Sequence, residues 1–342
     1  MSILKTSIRN RLSALIIKNR VRLGDGDGLV SLTPDQLGEI RRFFPLPKYF
    51  VFGHARSGTT LLARLLRLHP EVHCNWQAQF FSQRGLIPYL TAPSYLRWLN
   101  HPSNRWTNEG DRTTVSIRVL CDYILEGEAR KVKKRIVGDK SPNENGAQAV
   151  RWLYCVYPDG QLIYLIRDGR DTVLSKRIQE FVDQSNLLDR EDTKVRQALL
   201  RDPQPFIDGR RSLFTPKWLE RAAKQWAENV HESVNLGTEL FGKRFFAIRY
   251  EDILNDPYGW MTRLWSFLGV AVEDDGLSTK VIDEMRHNPA AEWHRSRDLA
   301  YIKDLPRGIR GAWQSAYRSE DLDIFNRVAG EELSAWQYDL HN

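Results

Sequence analysis

The chain has 342 residues, enough for one large domain or two small ones, each with a buried core. Its hydrophobic content of 42% and charged content of 27% are those of an ordinary globular protein and argue against a disordered or fibrous chain. The formal net charge of +7 suits an anionic ligand, but the basic residues are too evenly spread to predict a nucleic-acid partner.

The cysteines and the apolar runs indicate the compartment. Cys74, Cys121 and Cys155 are odd in number and lack metal-ligand spacing, so we interpret them as free thiols in a reducing environment. No run approaches the ~18 apolar residues of a membrane-spanning helix. The run "ALII" is too short for the core of a signal peptide. The expected location is the cytoplasm.

Residues 1–24 carry six basic residues and no acidic one. Their apolar residues recur at helical spacing: Ile3, Leu4, Ile8, Leu12, Leu15 and Ile16. A basic amphipathic helix can lie on an anionic membrane, which predicts peripheral membrane contact. The same pattern also fits a helix that packs on its own domain with a solvated basic face, and we favour this second interpretation.

A helix is predicted in "LTPDQLGEIRRFF", with Thr33 as the N-cap and Pro34 at its first position. The segment "PLP" at 45–47 ends that helix. Residues 1–47 are therefore predicted to be an N-terminal helical extension, and residues 48–342 the main domain.

From residue 48 onward, short apolar runs alternate with helical patterns. The predicted strands are "KYFVFG" (48–53), "RIVGD" (135–139), "QLIYLIRD" (161–168) and "RFFAIRYED" (244–252). The predicted helices cover 59–69, 114–132, 146–158, 171–182 and 258–269. This alternation predicts an α/β fold, with a P-loop-like parallel sheet and helices on both faces. The polar segment 183–215 is expected to be an irregular insertion or lid.

Ligands of open parallel sheets bind at the carboxyl ends of the strands. Three charged loops follow such ends: "GHARSGTT" (53–60), "GDKSPN" (138–143) and "RDGRD" (167–171). They are expected to place Arg56, Lys140, Arg167 and Arg170 around one crevice. Four cations in one crevice predict a strongly anionic ligand.

The first of these loops has the features of a phosphate cradle. Gly58 allows a tight turn and a close approach of the backbone to phosphate. The following helix N-terminus offers N–H groups, Ser57, Thr59 and Thr60 add hydroxyl groups, and Arg56 adds a fixed positive charge. Thr59 stands where a Walker A loop has its lysine. The loop therefore predicts phosphate binding without metal-assisted γ-phosphate transfer.

Two motifs together resemble the sulfotransferases that use 3′-phosphoadenosine 5′-phosphosulfate (PAPS). "ARSGTTLLARLLRLHPEV" is similar to their 5′-phosphosulfate loop, and "YLIRDGRDTVLSK" to their 3′-phosphate motif, with Arg167 and Ser175 eight residues apart. Weaker similarities lie in "RIVGDKSPN", in "RYEDILNDP" with Tyr250, and in "RGIRGAW" with Arg307 and Gly308 in the place of the family's Lys-Gly. The resemblance spans about residues 48–336 and is closest to the bacterial branch that modifies carbohydrates and proteins.

The resemblance implies a sulfotransferase fold and in-line transfer of a sulfuryl group to a hydroxyl or amine. It implies that Arg56 and Lys140 neutralise developing charge and that no metal takes part. The implied nucleotide-binding residues are Arg56, Ser57, Gly58, Thr59, Thr60, Arg167, Ser175, Tyr250, Arg307 and Gly308. The acceptor is expected to be a small molecule, a carbohydrate or a lipid.

One departure concerns the base that deprotonates the acceptor. Related enzymes usually carry a glutamate just after the "HPEV" stretch, where this chain has "CNWQAQFF", with Gln77 and Gln79. A glutamine cannot accept the proton. His54 and Asp139 are the first substitutes that the sequence offers, and His73 is the third.

Two other functions remain open from the sequence. One is a nucleotide kinase or phosphotransferase of related topology, which Thr59 speaks against. The other is a catalytically silent nucleotide-binding or membrane-associated module, which Gln77 and the basic N-terminus suggest.

Overall fold

The computed structural model describes residues 29–82, 85–99, 101, 103, 112–143, 145–272, 276–286 and 309–340. The segment 1–24, Arg307 and Gly308 lie outside the described residues, so the predictions made for them stay predictions. Within the described part, no helix combines the length and the apolar character needed to cross a membrane.

The first described helix, α1, spans Pro34–Phe43 and confirms the predicted start. Thr33 is its N-cap, and its hydroxyl accepts a hydrogen bond from the Gln36 backbone N–H. The Gln36 side chain in turn accepts from the Thr33 backbone N–H at 2.9 Å. This reciprocal capping box satisfies two N–H groups that the first turn leaves without helical partners.

The sheet has five parallel strands in the order β2-β3-β1-β4-β5. The strands are β1 (Lys48–Phe52), β2 (Val72–Trp76), β3 (Ile136–Lys140), β4 (Gln161–Ile166) and β5 (Phe245–Arg249). Four of them confirm the predicted strands. β2, which forms one edge of the sheet, was not predicted from the sequence.

The helices follow the strands along the chain. They are α2 (Thr59–Leu66), α3 (Leu86–Leu90), α4 (Pro93–Leu99), α5 (Arg112–Lys131), α6 (Ala147–Val156), α7 (Gly169–Asp183), α8 (Arg190–Arg201), α9 (Gln204–Ile207), α10 (Pro216–Phe241), α11 (Tyr250–Asn255), α12 (Pro257–Phe267), α13 (Leu277–Arg286), α14 (Trp313–Ala316) and α15 (Ser319–Ala335). The predicted helices correspond to α2, α5, α6, α7 and α12.

Helices cover both faces of the sheet, as predicted. Along β1, Phe50 and Phe52 pack on one face, against α5, α6, α7 and α10. Tyr49 and Val51 pack on the other face, against α2, α12 and α13. All four side chains are almost fully buried. Burial on both faces explains why the strands are continuous apolar runs.

The prediction that 183–215 is irregular was wrong. Helix α8 begins after Asp189, whose carboxylate accepts a hydrogen bond from the Asp192 backbone N–H. The buried Leu199 anchors α8 to the core. The polar composition of this segment reflects a helix with one narrow apolar stripe. Its role as an insertion or lid stays a prediction.

Candidate active site

The carboxyl ends of the strands bring most of the predicted residues together. The Arg56 guanidinium donates through Nε to Ser175 Oγ at 3.0 Å. Arg167, at the end of β4, donates to the Arg56 carbonyl oxygen at 3.4 Å. Lys140, the last residue of β3, donates to Thr60 Oγ1 at 3.3 Å. Loops distant in sequence therefore form one connected basic cluster.

The turn between β1 and α2 needs glycine at position 58. Gly58 has a φ of 91°, in the left-handed region. A Cβ atom there would lie 2.5 Å from the Tyr250 ring, which packs directly over the turn. Arg56 also adopts a positive φ, 76°, a conformation that costs a non-glycine residue about 1–3 kcal/mol. The loop holds this strain where it presents its donors.

Several buried donors at this site lack a protein acceptor. Ser57 Oγ and Arg167 Nε are buried and have no hydrogen-bond partner among the residues that the structure describes. The first N–H groups of α2 have no intrahelical acceptor, and they carry the positive end of the helix dipole. Buried donors are rarely left unsatisfied. This set therefore fits an anion with several oxygen acceptors, such as a phosphate or a phosphosulfate.

Arg167 lies at the centre of the basic cluster. Its guanidinium is 5.1 Å from the Tyr250 ring centroid and 3.6 Å from the Asp171 carboxylate. It also donates to the Ile309 carbonyl oxygen at 3.1 Å. Asp171 accepts hydrogen bonds from the backbone N–H groups of Gly311 and Trp313. Arg167 and Asp171 thereby attach the "IRGAW" stretch to the edge of the site.

The prediction that Arg170 faces the anion was wrong. Its guanidinium forms two hydrogen bonds with the Asp168 carboxylate, at 3.1 and 2.8 Å. It also stacks 3.6 Å from the Trp313 ring centroid and is 2% exposed. Arg170 is therefore a buried structural residue under α14.

Lys140 and Asp139 are adjacent in sequence but face different partners. The Lys140 ammonium contacts Gln77 Oε1 at 3.3 Å and lies 4.8 Å from the Trp76 ring centroid. Burial lowers its pKa from the usual value. The Asp139 carboxylate accepts from Ala78 N–H at 2.9 Å and from Ser141 Oγ at 2.7 Å. Burial raises the pKa of Asp139, and its two bonds hold the turn after β2.

The two candidate histidines lie in different places. His54 follows β1, and its Nδ1 is 2.9 Å from the Ala55 carbonyl oxygen. Burial, with a smaller contribution from Lys176, lowers the pKa of His54 to about 4. His73 lies inside β2, three residues before the carboxyl end of the strand, and contacts Asn75. The structure therefore does not bring His73 to the basic cluster.

A cleft of about 710 Å³ opens beside the cluster. His54 and Gln77 line it from the side of the sheet, and Gln225 and Glu232 line it from α10. These two α10 residues were not predicted from the sequence. About 150 residues separate them from Gln77, and no local pattern signals that α10 crosses the loops there.

A family model described as "Sulfotransferase family" matches residues 47–274, more than half of the chain. The chain belongs to the sulfotransferase family. The match includes every described residue of the basic cluster, from the loop after β1 to Tyr250. The family assignment agrees with the five-stranded parallel sheet and with the position of its loops.

Curated relatives of this sulfotransferase-family chain come from animals and bacteria. It is 22% identical over 275 residues to a protein-tyrosine sulfotransferase of Drosophila melanogaster, covering 78% of this chain and 47% of that protein. It is 23% identical over 265 residues to protein-tyrosine sulfotransferase 2 of Gallus gallus, with coverages of 76% and 61%. The chain thus spans roughly half the length of these relatives. It is also 30% identical over 128 residues to nodulation protein NoeE of Sinorhizobium fredii, with coverages of 36% and 30%.

Solved sulfotransferase structures are also similar. Mouse sulfotransferase SULT7A1, complexed with PAP, is 15% identical at a TM-score of 0.46, covering 91% of this chain and 94% of that one. The sulfotransferase domain of the Synechococcus PCC 7002 olefin synthase is 18% identical at a TM-score of 0.46, with coverages of 86% and 95%.

Proposed function

We propose that this sulfotransferase-family member transfers the sulfuryl group of PAPS to a hydroxyl or amine acceptor by in-line displacement. The connected cluster of Arg56, Ser175 and Arg167 at the N-terminus of α2 carries the proposal. Ser175 and Arg167 are buried and Arg56 is partly buried, and Arg167 Nε, like the neighbouring Ser57 Oγ, has no acceptor among the described residues. The family assignment supports sulfuryl transfer as the chemistry of this cluster.

The described donors form two groups that suit the two anionic ends of such a nucleotide. Ser57, the α2 N-terminus and Thr60 form one group beside Lys140. Arg167 and Ser175 form the other, and Tyr250 lies between Gly58 and Arg167. Ser175 Oγ accepts from Arg56, so its own hydroxyl hydrogen remains free to donate to a 3′-phosphate. Arg307 and Gly308 remain predicted contacts to the same phosphate.

PAPS would supply the activated sulfuryl group, with the adenosine bisphosphate as leaving group. Arg56 and Lys140 would stabilise the negative charge that develops on the bridging and sulfuryl oxygens. Both side chains are largely removed from water, which strengthens their interaction with a developing charge. The proposal requires no divalent metal for this step, because these cations face the position of transfer.

His54 is the proposed base. The Ala55 carbonyl can only accept a hydrogen bond, so Nδ1 of the neutral imidazole carries the proton and Nε2 keeps its lone pair. His54 also lines the cleft. Asp139 is the weaker candidate, because both carboxylate oxygens already accept hydrogen bonds.

The cleft beside Lys140 is the proposed acceptor site, for a small molecule, a carbohydrate or a lipid. Several curated relatives are named protein-tyrosine sulfotransferases, and such names leave the acceptor of this chain open. We further propose a cytoplasmic location and an insertion or lid formed by residues 183–215. For residues 1–24 the favoured proposal remains a helix packed on its own domain, with peripheral membrane contact as the alternative.

Nucleotide recognition tests the proposal directly. Adenosine 3′,5′-bisphosphate should raise the melting temperature more than adenosine 5′-phosphate does, because only the former has a 3′-phosphate for Arg167. Arg167→Ala should abolish this difference, since a charge-assisted hydrogen bond contributes about 1.5–3 kcal/mol. Arg263→Ala is the control: this residue stacks on Trp260, away from the site. Equal stabilisation of the native chain by both nucleotides would contradict the assignment.

A further inference from the structure

The cleft beside Lys140 has an unusual lining. Six of its residues carry side-chain amides: Gln77, Gln79, Asn145, Gln184, Gln225 and Asn229. Among the described residues that line it, Ala55, Pro142 and Gly146 are the apolar ones, His54 carries the one aromatic ring, and none has a large aliphatic side chain. Small-molecule pockets usually have mainly hydrophobic and aromatic walls with few polar groups. This cleft has the opposite composition.

Several of these polar groups have hydrogen-bonding capacity left. Asn229 already uses both ends of its amide, since Nδ2 donates to the Asn143 carbonyl oxygen and Oδ1 accepts from the Tyr164 hydroxyl. In contrast, the side chains of Gln79, Gln184 and Glu232 make no hydrogen bond to any other described residue. A ligand that takes the place of water at these groups must offer both hydrogen-bond donors and acceptors, because a side-chain amide presents both.

The charges around the cleft do not favour an anionic acceptor. Lys176 lies in the wall and donates to Gln225 Oε1 at 3.2 Å. Two carboxylates, Glu228 and Glu232, lie on the same wall, and Glu228 pairs with Lys224 at 3.6 Å. The Glu232 carboxylate faces the loop after β3: a Cβ atom added to Gly146 would lie 3.6 Å from its Oε2.

From this lining we propose that the acceptor is a neutral polyhydroxylated molecule, a carbohydrate chain, with the Glu232 carboxylate accepting hydrogen bonds from its hydroxyl groups. The inference rests on the proposed function, because it assigns the acceptor of the same transfer. Glu232 is a specificity-determining residue in this assignment. One sugar hydroxyl is sulfated beside Lys140, and the neighbouring hydroxyl groups bind the amides and Glu232.

The same lining disfavours phenols and long-chain alcohols. A phenyl ring or an acyl chain in this cleft would take water from the amides and the carboxylate without replacing its hydrogen bonds, which costs free energy at each group. Trp76 precedes the lining residue Gln77; it is 51% exposed, and its ring lies 4.8 Å from the Lys140 ammonium. An exposed indole offers a flat apolar surface to one face of a sugar ring and leaves the ring's hydroxyl groups in contact with the cleft.

Acceptor preference is the first test. The full chain is supplied with labelled PAPS and with four kinds of acceptor: neutral oligosaccharides of glucose, galactose and N-acetylglucosamine, 4-nitrophenol, a tyrosine-containing peptide, and dodecanol. At least one oligosaccharide should be sulfated with a kcat/KM at least tenfold above that of each other acceptor. A phenol, peptide or alcohol that exceeds every oligosaccharide would overturn the proposal.

The Glu232→Gln variant is the second test. It should raise the KM for the preferred oligosaccharide about tenfold or more, because the charge-assisted hydrogen bonds are lost. The affinity for adenosine 3′,5′-bisphosphate should not change. Glu239→Gln is the matched control, since Glu239 is exposed on the same helix and lies outside the cleft. An unchanged KM in Glu232→Gln would overturn the role of this residue.

Direct binding separates this inference from the proposed function. Saturation-transfer NMR measures binding of the same oligosaccharides to the chain loaded with adenosine 3′,5′-bisphosphate. Oligosaccharide binding without transfer to any acceptor would support the acceptor class and contradict the transferase. Transfer to 4-nitrophenol without binding of any oligosaccharide would support the transferase and overturn the acceptor class. Absence of both binding and transfer would overturn both.

Discussion

At the scale of single residues, proton removal depends on how His54 and Asp139 are solvated. Burial disfavours the charged form of each group, so it lowers the pKa of the imidazole and raises that of the carboxylate. The neutral His54 ring keeps Nε2 unprotonated, and His54 lines the cleft. The Asp139 oxygens bind Ala78 and Ser141 instead. Burial alone makes His54 the weaker base, so it is the hydrogen bonding that favours His54: its Nε2 makes no bond to a described residue, whereas both Asp139 oxygens already accept one.

The first prediction concerns the pH dependence of turnover. A base must be unprotonated, and the pKa of His54 is about 4, so its active form should dominate at every pH above that value. The profile of kcat/KM should therefore show no inflection between pH 5 and pH 8 and should fall only as the pH drops through about 4. His54→Ala should lower kcat by about 10²-fold, the usual size of general-base loss.

His231→Ala is the matched control for this test. His231 is exposed and pairs with Glu332 on the surface, so His231→Ala should leave both the profile and kcat unchanged. A native profile with an inflection near the ordinary histidine pKa of ~6.5 would contradict a buried His54 as the base. Full activity of His54→Ala together with loss of activity in Asp139→Asn would assign the base to Asp139.

At the scale of elements, the turn between β1 and α2 depends on close packing with α11. The Tyr250 ring occupies the space that a side chain at Gly58 would need, and the φ of 91° excludes easy replacement. The turn places the Arg56 side chain next to α7, where it donates a hydrogen bond to Ser175. Its shape therefore positions both halves of the proposed nucleotide site.

Gly58→Ala is predicted to damage stability and nucleotide binding together. The added methyl group clashes with Tyr250, and alanine is strained at the left-handed φ of this position. Together these effects should reduce the free energy of unfolding by about 1–3 kcal/mol. Urea denaturation measures the loss, and adenosine 3′,5′-bisphosphate titration should show weaker binding. Gly38→Ala is the control, since Gly38 lies within α1 with open space around it. That change should be neutral or stabilising by up to about 1 kcal/mol. Equal stability of the two variants would show that the turn tolerates a side chain.

At the scale of the whole molecule, the sequence predicted the strands that are near-continuous apolar runs, including the partly buried edge strand β5. β4 is a run of apolar residues and was identified, whereas β2 alternates apolar residues with His73 and Asn75 and was missed. Helix α8 was missed because most of its residues are polar and only a narrow stripe, including Leu199, is buried. Elements in which polar residues interrupt the apolar ones leave a weaker pattern than continuous apolar runs do.

The site residues, like the strands, include some that the sequence could place and some that it could not. Residues next to strand ends, such as Arg56, Lys140 and Arg167, could be placed together because parallel strands end at one edge. The sequence could not show that Arg170 has a different role from Arg167, because the pairing of Arg170 with Asp168 and its stacking on Trp313 depend on where α14 packs. Glu232 could not be assigned to the cleft, because that depends on the path of α10.

The proposed metal-free sulfuryl transfer is tested most directly by one assay. The chain is incubated with ³⁵S-labelled PAPS and the oligosaccharide panel, with and without excess chelator, and labelled product is counted. Because Arg56 and Lys140, which contact Ser175 and Thr60, are proposed to supply the positive charge at the transferring group, labelled product should form at the same rate in both samples. Loss of transfer on chelation that magnesium restores, or magnesium-dependent turnover of ATP in place of PAPS, would contradict the proposed function.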